Sequence, residues 1–258
     1  MAYIHRYGCS DISGTALSRL LLSLSLVAIS SAPSLAASVN VAVAANFTAV
    51  AEELATLFEA RGEHQVELSF GATGQLFTQI SQAAPFGIFL AADVDRPKKA
   101  IEQGFAVEGS FFVYAEGRLV LYAPGRDVAD GVAALQGDYD KLAIADPAAA
   151  PYGEAAVETL AALGLLEKLT PKLVQGENIS QTLQFIESGN AEMGFVAASQ
   201  VLGKGDQWLV PHDLYAPIAQ GAVLLTEGAD KPAAVAFFAF LKSDEAVRVI
   251  EAAGYSVP

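Results

Sequence analysis

The sequence alternates short β-like runs with helical runs, and this pattern is its strongest constraint on the fold. Residues 39–43 predict a strand, and residues 49–61, where Leu54, Leu57 and Phe58 recur at helical spacing, predict the helix that follows. The same order predicts two more strand and helix pairs: 66–70 with 76–84, and 88–92 with 96–104. Consecutive units of this kind place their strands side by side and cover them with helices. The sequence therefore predicts an α/β protein with mostly parallel sheets.

Two long apolar runs, residues 118–122 and 221–225, flank a second series of alternating elements. The further predicted elements are strands 142–145, 172–174 and 193–197 and helices 154–163, 180–188, 232–241 and 243–252. We interpret the two runs as crossings between lobes, with residues 37–117 and 222–258 in the first lobe and residues 118–221 in the second. No stretch rich in Gly, Ser or Pro separates them, so hinged lobes are expected rather than tethered ones.

The first 36 residues have the pattern of a secretory signal peptide. His5, Arg6 and Arg19 precede an apolar run at 20–29 that is too short to span a bilayer, and small residues follow it. We expect residues 1–36 to be removed, although a retained amphipathic anchor is the alternative. Cys9 precedes the apolar run and is therefore not placed as a lipid attachment site.

The charge balance indicates an exported acidic protein. The chain has 15 basic and 29 acidic residues, and without Arg6, Arg19 and Asp11 it keeps 13 and 28, a net charge of −15. A chain that is acidic and loses its one cysteine with the leader fits a soluble periplasmic protein. Binding to a phosphate backbone requires a basic face, so we expect no nucleic acid partner, and we expect a monomer.

Four loops follow predicted strands at the positions where parallel α/β sheets bind ligands. Each combines short neutral donors or glycines with an immediate helix start, which suits anion binding without a counter-ion. The loops are residues 44–48, 71–74, 146–153 and 176–180. The alternative is that Asn46, Thr73 and Ser180 are ordinary helix N-caps.

Catalytic and metal chemistry have little support in the sequence. His64 and His212 lack Cys or paired carboxylates at ligand spacing, and neither a nucleophile elbow nor a Walker loop is present. Asp93 and Asp146 end predicted strands, where capping and turn formation are the expected roles. We therefore predict no catalytic residues and no cofactor.

Six stretches of the chain, taken in order, resemble the periplasmic molybdate-binding proteins of ABC importers. The resemblance runs from about residue 39 to residue 258. It implies a type II periplasmic binding protein: two α/β lobes, joined by two crossover strands, that hold molybdate or tungstate without direct protein ligands to the metal. It also implies transient contact with a membrane permease. The stretches are VAVAANFTAVAEELATLFE, SFGATGQLFTQI, APFGIFLAAD, IADPAAAPYGEAAVETLAALGL, GENISQTLQFIESGNAEMGFV and AFLKSDEAVRVIEAAGYSVP.

The resemblance also implies a set of binding residues. These are Asn46 with the backbone of Ala45, the hydroxyl of Thr73, Tyr152 chiefly through its backbone N–H, and the N–H of Ile179.

The chain departs from the better-known members at two positions. They carry a serine in place of Asn46 and a tyrosine in place of Ala197. The pair AANFT and PYG is similar to a second branch of the family, in which Asn46 and Tyr152 replace that tyrosine contact.

Other ligands and an enzymatic function remain as alternatives. A ferric site needs clustered tyrosines and carboxylates, and a carboxylate site usually needs an arginine fork, which the four loops lack. Sulfate fits the same neutral donors and stays open, whereas hydrogen phosphate would have no acceptor for its O–H. An exported α/β enzyme would have to use Asp93, Asp146 or His212, and it would need a nucleophile and base in reach of one another.

Overall fold

The structure is a computed structural model that describes residues 37–62 and 64–258. The predicted signal peptide at 1–36, with Cys9, lies outside the described residues. The strands are β1 (Ala37–Ala44), β2 (His64–Gly71), β3 (Ile88–Leu90), β4 (Phe112–Gly117), β5 (Leu119–Tyr122), β6 (Leu142–Ala145), β7 (Leu173–Gly176), β8 (Met193–Ala197), β9 (Gln207–Leu209) and β10 (Ile218–Leu224). The α-helices are α1 (Thr48–Glu59), α2 (Thr73–Ser81), α3 (Asp95–Glu102), α4 (Gly131–Gln136), α5 (Pro151–Ala162), α6 (Leu166–Leu169), α7 (Ile179–Glu187), α8 (Pro232–Phe240) and α9 (Asp244–Ala252).

The strands form two five-stranded sheets with the same internal arrangement. Their orders are β2-β1-β3-β10-β4 and β7-β6-β8-β5-β9. In each sheet the first three strands pair in parallel, and the fourth is antiparallel to both of its neighbours. Four of the five strands in each sheet therefore run in one direction, and the predicted two-lobed α/β fold is confirmed. We call the part built on the first sheet lobe one and the part built on the second sheet lobe two.

The chain crosses between the lobes at two places. Arg118 alone separates β4 of lobe one from β5 of lobe two, and the return lies between β9 and β10. The predicted boundary between residues 221 and 222 falls inside β10, which among the described strands pairs with β3 and β4 of lobe one. We propose that lobe one resumes at Ile218, because a strand shared by one ladder moves as one unit.

Each lobe has a core made by its sheet and the helices packed on it. In lobe one, Leu54 and Phe58 of α1 meet Phe237 of α8 over β1. Complete burial of such side chains contributes about 1.5–3 kcal/mol each. The core of lobe two also includes Ala45 and Ala72, which belong to loops of lobe one. The loops of lobe one are therefore packed against lobe two.

No helix in the described part of the chain is long and apolar enough to cross a membrane.

Candidate functional site

The four predicted loops leave the two sheets at paired positions. β1 and β2 end at Ala44 and Gly71, which are partners in the ladder, and β6 and β7 end at the partners Ala145 and Gly176. A β-carbon on Gly176 would lie 2.7 Å from the backbone nitrogen of Thr182, so the turn into α7 requires glycine. In each lobe, two neighbouring strands thus deliver their helix starts to the same edge of the sheet.

The four loops meet around one small cavity, of about 10 Å³, between the lobes. All five residues that the resemblance implied line this cavity, and none of its lining side chains is formally charged. The described residues contain no group of three or more His, Cys, Asp or Glu placed to hold a metal ion. The lining residues are Ala44, Ala45, Asn46, Gly71, Ala72, Thr73, Ala92, Ala150, Pro151, Tyr152, Asn178 and Ile179.

The start of α7 presents the N–H of Ile179 to this cavity. Asn178 is the N-cap, and its Oδ1 accepts the N–H groups of Ser180 and Gln181 at 3.0 Å each. The N–H of Ile179 has no acceptor among the described residues. Because first-turn N–H groups point out of a helix start, this donor is available to a ligand.

The start of α5 presents Tyr152 in the same way. The carbonyl of Ala150 accepts the N–H groups of Gly153 and Glu154, and Pro151 has no N–H. In the described part of the chain, the N–H of Tyr152 donates to no carbonyl. α5 therefore offers one backbone donor at the cavity.

Thr73 offers its hydroxyl from lobe one. Its side chain is buried, and its Oγ1 accepts the backbone N–H of Ala92 at 3.0 Å. That bond occupies an acceptor position of the hydroxyl and leaves its proton to be donated. The N–H groups of Ala45, Asn46 and Thr73 also find no acceptor among the residues that the structure describes.

The alternative that Asn46, Thr73 and Ser180 are N-caps is wrong. Asn46 lies inside a short 3-10 helix (Ala45–Phe47), and Thr73 is the first residue of α2 after Ala72. Ser180 is the second residue of α7, and its hydroxyl donates across the cleft to the carbonyl of Ala45 at 3.1 Å. The cap of α7 is Asn178, which sequence reasoning placed in the loop without this role.

The side chain of Asn46 is directed into a buried polar network and not toward a ligand. Its Nδ2 donates to Oε1 of Gln220 at 2.9 Å and to the hydroxyl of Tyr255 at 3.0 Å. The Tyr255 hydroxyl donates back to the carbonyl of Asn46 at 2.8 Å and accepts from Ser199 Oγ at 2.8 Å. Both hydrogens of the Asn46 amide are thus used inside the protein, which leaves its backbone N–H for the cavity.

Gln220 joins the two lobes through bonds to two residues that line the cavity, Asn46 and Tyr152. It is completely buried on β10, and its Nε2 donates to the hydroxyl of Tyr152 at 3.2 Å. Its Oε1 also accepts from Tyr114 at 2.9 Å. A β-carbon on Gly117 would lie 2.0 Å from the Tyr152 hydroxyl, so this contact requires glycine on the crossing strand. The Tyr152 side chain therefore contacts β4 and β10 next to the lobe crossings, whereas its backbone N–H faces the cavity.

Buried tyrosines form the rest of the network. Burial is the first cause that raises the pKa of Tyr114 and Tyr152 well above 10, and it raises the pKa of Tyr255 to about 12. All three phenols are neutral at ordinary pH. Sequence reasoning did not assign Gln220, Tyr114 or Tyr255, although Tyr255 lies in the closing stretch AAGYSVP.

The two strand-end aspartates have the predicted local roles. Asp93 accepts the N–H of Arg96 at 2.9 Å at the start of α3, and Asp146 accepts the N–H of Ala148 at 3.0 Å in a turn. Neither carboxylate lines the cavity.

Two α/β lobes that close over a small cavity of neutral donors define a two-lobed solute-binding protein. The chain belongs to the bacterial extracellular solute-binding protein family, whose model matches residues 39–256.

Relatives within this family have molybdate as their named ligand. The chain is 53% identical over 227 residues to the molybdate-binding protein ModA of Rhodobacter capsulatus, covering 86% of this chain and 90% of that protein. It is 48% identical over 248 residues to the ModA of Azotobacter vinelandii, covering 93% and 98%. The solved periplasmic molybdate-binding protein of Azotobacter vinelandii superimposes with a TM-score of 0.82 at 38% identity, covering 85% of this chain and 99% of that one. The resemblance seen in the sequence is confirmed, and these relatives are binding proteins rather than enzymes.

Proposed function

We propose that the protein captures molybdate in the cavity between its lobes and delivers it to the membrane permease of an ABC importer. The observation that carries this proposal is the convergence of backbone donors without acceptors on one cavity that no charged side chain lines. The molybdate-binding relatives supply the identity of the anion. Tungstate, an oxyanion of the same shape and charge, is the second proposed ligand.

In the proposed complex, both lobes donate to the oxyanion. Lobe one supplies the N–H groups of Ala45, Asn46 and Thr73 and the hydroxyl of Thr73, and lobe two supplies the N–H groups of Tyr152 and Ile179. Hydrogen bonds to an ionised acceptor are worth about 1.5–3 kcal/mol each, and helix starts add a partial positive charge. The protein donates to the oxygens only, so it needs neither a ligand to molybdenum nor a cofactor.

The donor set favours a fully ionised, small anion. Every proposed contact is an N–H or O–H, so a protonated oxyanion would place its own O–H against donors and lose that hydrogen bond. The cavity is also small: its volume of about 10 Å³ is far below the roughly 300–1,000 Å³ typical of sites for organic ligands. Sulfate, which shares the shape and charge of molybdate, remains the competing ligand.

An anion held by both lobes stabilises the closed arrangement. Only there are all the donors in reach, so the ligand binds the closed form more tightly than the open one. The closed form is then the one that the permease recognises. Membership of an extracellular family supports an extracytoplasmic location. We propose that residues 1–36 are removed and that the mature chain acts as a periplasmic monomer.

Calorimetric titration of the mature protein, residues 37–258, tests the ligand. Molybdate and tungstate should bind with micromolar or tighter affinity, which corresponds to about −8 kcal/mol or more favourable, and sulfate and phosphate far more weakly. Sulfate binding as tight as that of molybdate, or tighter, would contradict the molybdate proposal. If none of the four anions bound, the oxyanion function would be wrong.

A further inference from the structure

Outside the anion cavity, two hydrogen bonds cross the cleft from lobe one to consecutive backbone carbonyls of lobe two. Nη2 of Arg96 donates to the carbonyl of Ala148 at 3.0 Å, and the backbone N–H of Gly74 donates to the carbonyl of Ala149 at 2.8 Å. Neither Arg96 nor Gly74 lines the cavity. The two accepting residues, Ala148 and Ala149, lie just before the start of α5, which carries the Tyr152 N–H.

On lobe one, Arg96 is held ready for this contact. Its Nη1 pairs with the Asp93 carboxylate at 2.6 Å, and its backbone N–H donates to the same carboxylate. The ion pair is only partly exposed, at 26% and 17% for the two side chains. The guanidinium is planar, so fixing Nη1 on Asp93 also directs Nη2.

On lobe two, a hydrogen-bonded turn holds Ala148 and Ala149 in place. Asp146 accepts the N–H of Ala148 with its side chain and the N–H of Ala150 with its carbonyl. This turn holds the carbonyls of Ala148 and Ala149 in place for the donors of lobe one.

A β-carbon at Gly74 would crowd this contact, because it would lie 3.1 Å from Nη2 of Arg96 and its neighbours would have to shift. It would also lie 3.1 Å from Cα and 3.2 Å from the carbonyl oxygen of Ala149. Sequence reasoning explained this glycine by access to a ligand, whereas the structure uses it for contact between the lobes.

We propose that Gly74, Arg96 and the carbonyls of Ala148 and Ala149 form a closure clamp, a set of contacts made only when the lobes are closed. This inference rests on the proposed function and deepens it. Arg96 is a positioning residue: it does not touch the anion, but it holds the α5 start against lobe one and so slows release. Because the clamp does not contact the ligand, it stabilises the complexes with molybdate and tungstate by the same factor.

The kinetics of molybdate and tungstate binding to mature Arg96→Ala and Arg96→Lys test the clamp. Both variants should release either anion about tenfold faster, while association stays within about twofold. Lysine keeps the positive charge but has one nitrogen in place of the two, Nη1 and Nη2, that contact Asp93 and Ala148. If Arg96→Ala released the anions faster but Arg96→Lys released them at the wild-type rate, the positive charge alone would account for the effect. That outcome would overturn the clamp.

Matched variants separate the clamp from general damage. Gly74→Ala should also speed release, whereas Gly205→Ala, whose added carbon would meet nothing within 4 Å, should not. Arg126→Ala removes an exposed arginine that donates a hydrogen bond to the carbonyl of Asp138 within lobe two, and it should behave as wild type. A damaged fold would reduce the fraction of competent molecules and leave the release rate of the remainder unchanged.

Measuring the distance between the lobes tests the clamp independently of the ligand's identity. The mature sequence has no cysteine, so spin labels at Gln82→Cys on lobe one and Lys168→Cys on lobe two report lobe separation. Arg96→Ala should lower the share of the short distance with and without added molybdate. If wild type bound none of the anions, the proposed function would fail, and the clamp would still be judged by these distributions. Identical distributions in wild type and Arg96→Ala would overturn the clamp.

Discussion

Nδ2 of Asn46 lies 2.9 Å from Oε1 of Gln220, a residue 174 positions further along the chain. With the second bond to Tyr255, this contact consumes both amide hydrogens of Asn46. The side chain therefore orients the loop after β1, and in the proposed complex only the backbone of Asn46 contacts the anion. A residue that looks like a side-chain ligand in the sequence is, in the fold, a support for a backbone donor.

Asn46→Ala should weaken both folding and anion binding. Gln220 and Tyr255 each lose a buried donor, so the free energy of unfolding should fall by about 1–3 kcal/mol. Urea unfolding and calorimetry of the same samples measure the two effects. Asn190→Ala is the control, since its amide is exposed and bonds only to Ser188, and it should change stability by less than about 0.5 kcal/mol. A stable Asn46→Ala protein with unchanged affinity would contradict the supporting role.

Thr73→Val should reduce molybdate affinity about 10- to 100-fold, because it removes one donor to an ionised acceptor. It also leaves the N–H of Ala92 without its acceptor. Thr73→Ser keeps the hydroxyl and should stay within a few-fold of wild type in calorimetric titration. Equal affinity of the valine and serine variants would show that the hydroxyl does not contact the anion.

Asn178→Ala should destabilise the protein by about 1 kcal/mol, the usual effect of losing an N-cap. The freed N–H groups of Ser180 and Gln181 no longer fix the first turn of α7, so affinity for molybdate should fall as well. Asn178→Ser retains a cap oxygen and should recover most of both losses in thermal melts and titrations. Loss of affinity in the serine variant equal to that in the alanine variant would point to a direct role of the amide.

The buried phenols predict a loss of stability at high pH. Burial raises the pKa of Tyr255 from its ordinary value of 10.0 to about 12, so the folded protein holds this proton more tightly than the unfolded chain. The resulting stabilisation is fully present below about pH 10 and is lost as the pH rises through about 12.

Urea unfolding between about pH 8 and about pH 11.5 measures this loss. The free energy of unfolding should fall less steeply above pH 10 in Tyr255→Phe, which lacks the titrating group, than in wild type. Parallel profiles would show that Tyr255 does not contribute.

Much of the fold could be predicted because its signals are local. Period-two and helical spacing located β1, β2, β6 and β8 and the helices α1, α5 and α7 to within a few residues. The strand β4 and the short elements α4, α6 and β9 were not predicted; the three short ones have six, four and three residues, which carry too little periodicity to predict. The boundary predicted between residues 221 and 222 falls inside β10, because an apolar run in the sequence does not show which strands it pairs with.

The sequence by itself determined the alternation of strands and helices, the four loops after the strands and the neutral character of their donors. These depend on neighbours within one or two turns of chain. Only the tertiary structure decided that Asn46 faces Gln220 and Tyr255, that Gly74 serves the approach of the lobes, and that Arg96 reaches Ala148. Each of these contacts joins residues that lie 52 to 209 positions apart in the chain. The partner of each residue is therefore fixed by how the sheets pack and the lobes close.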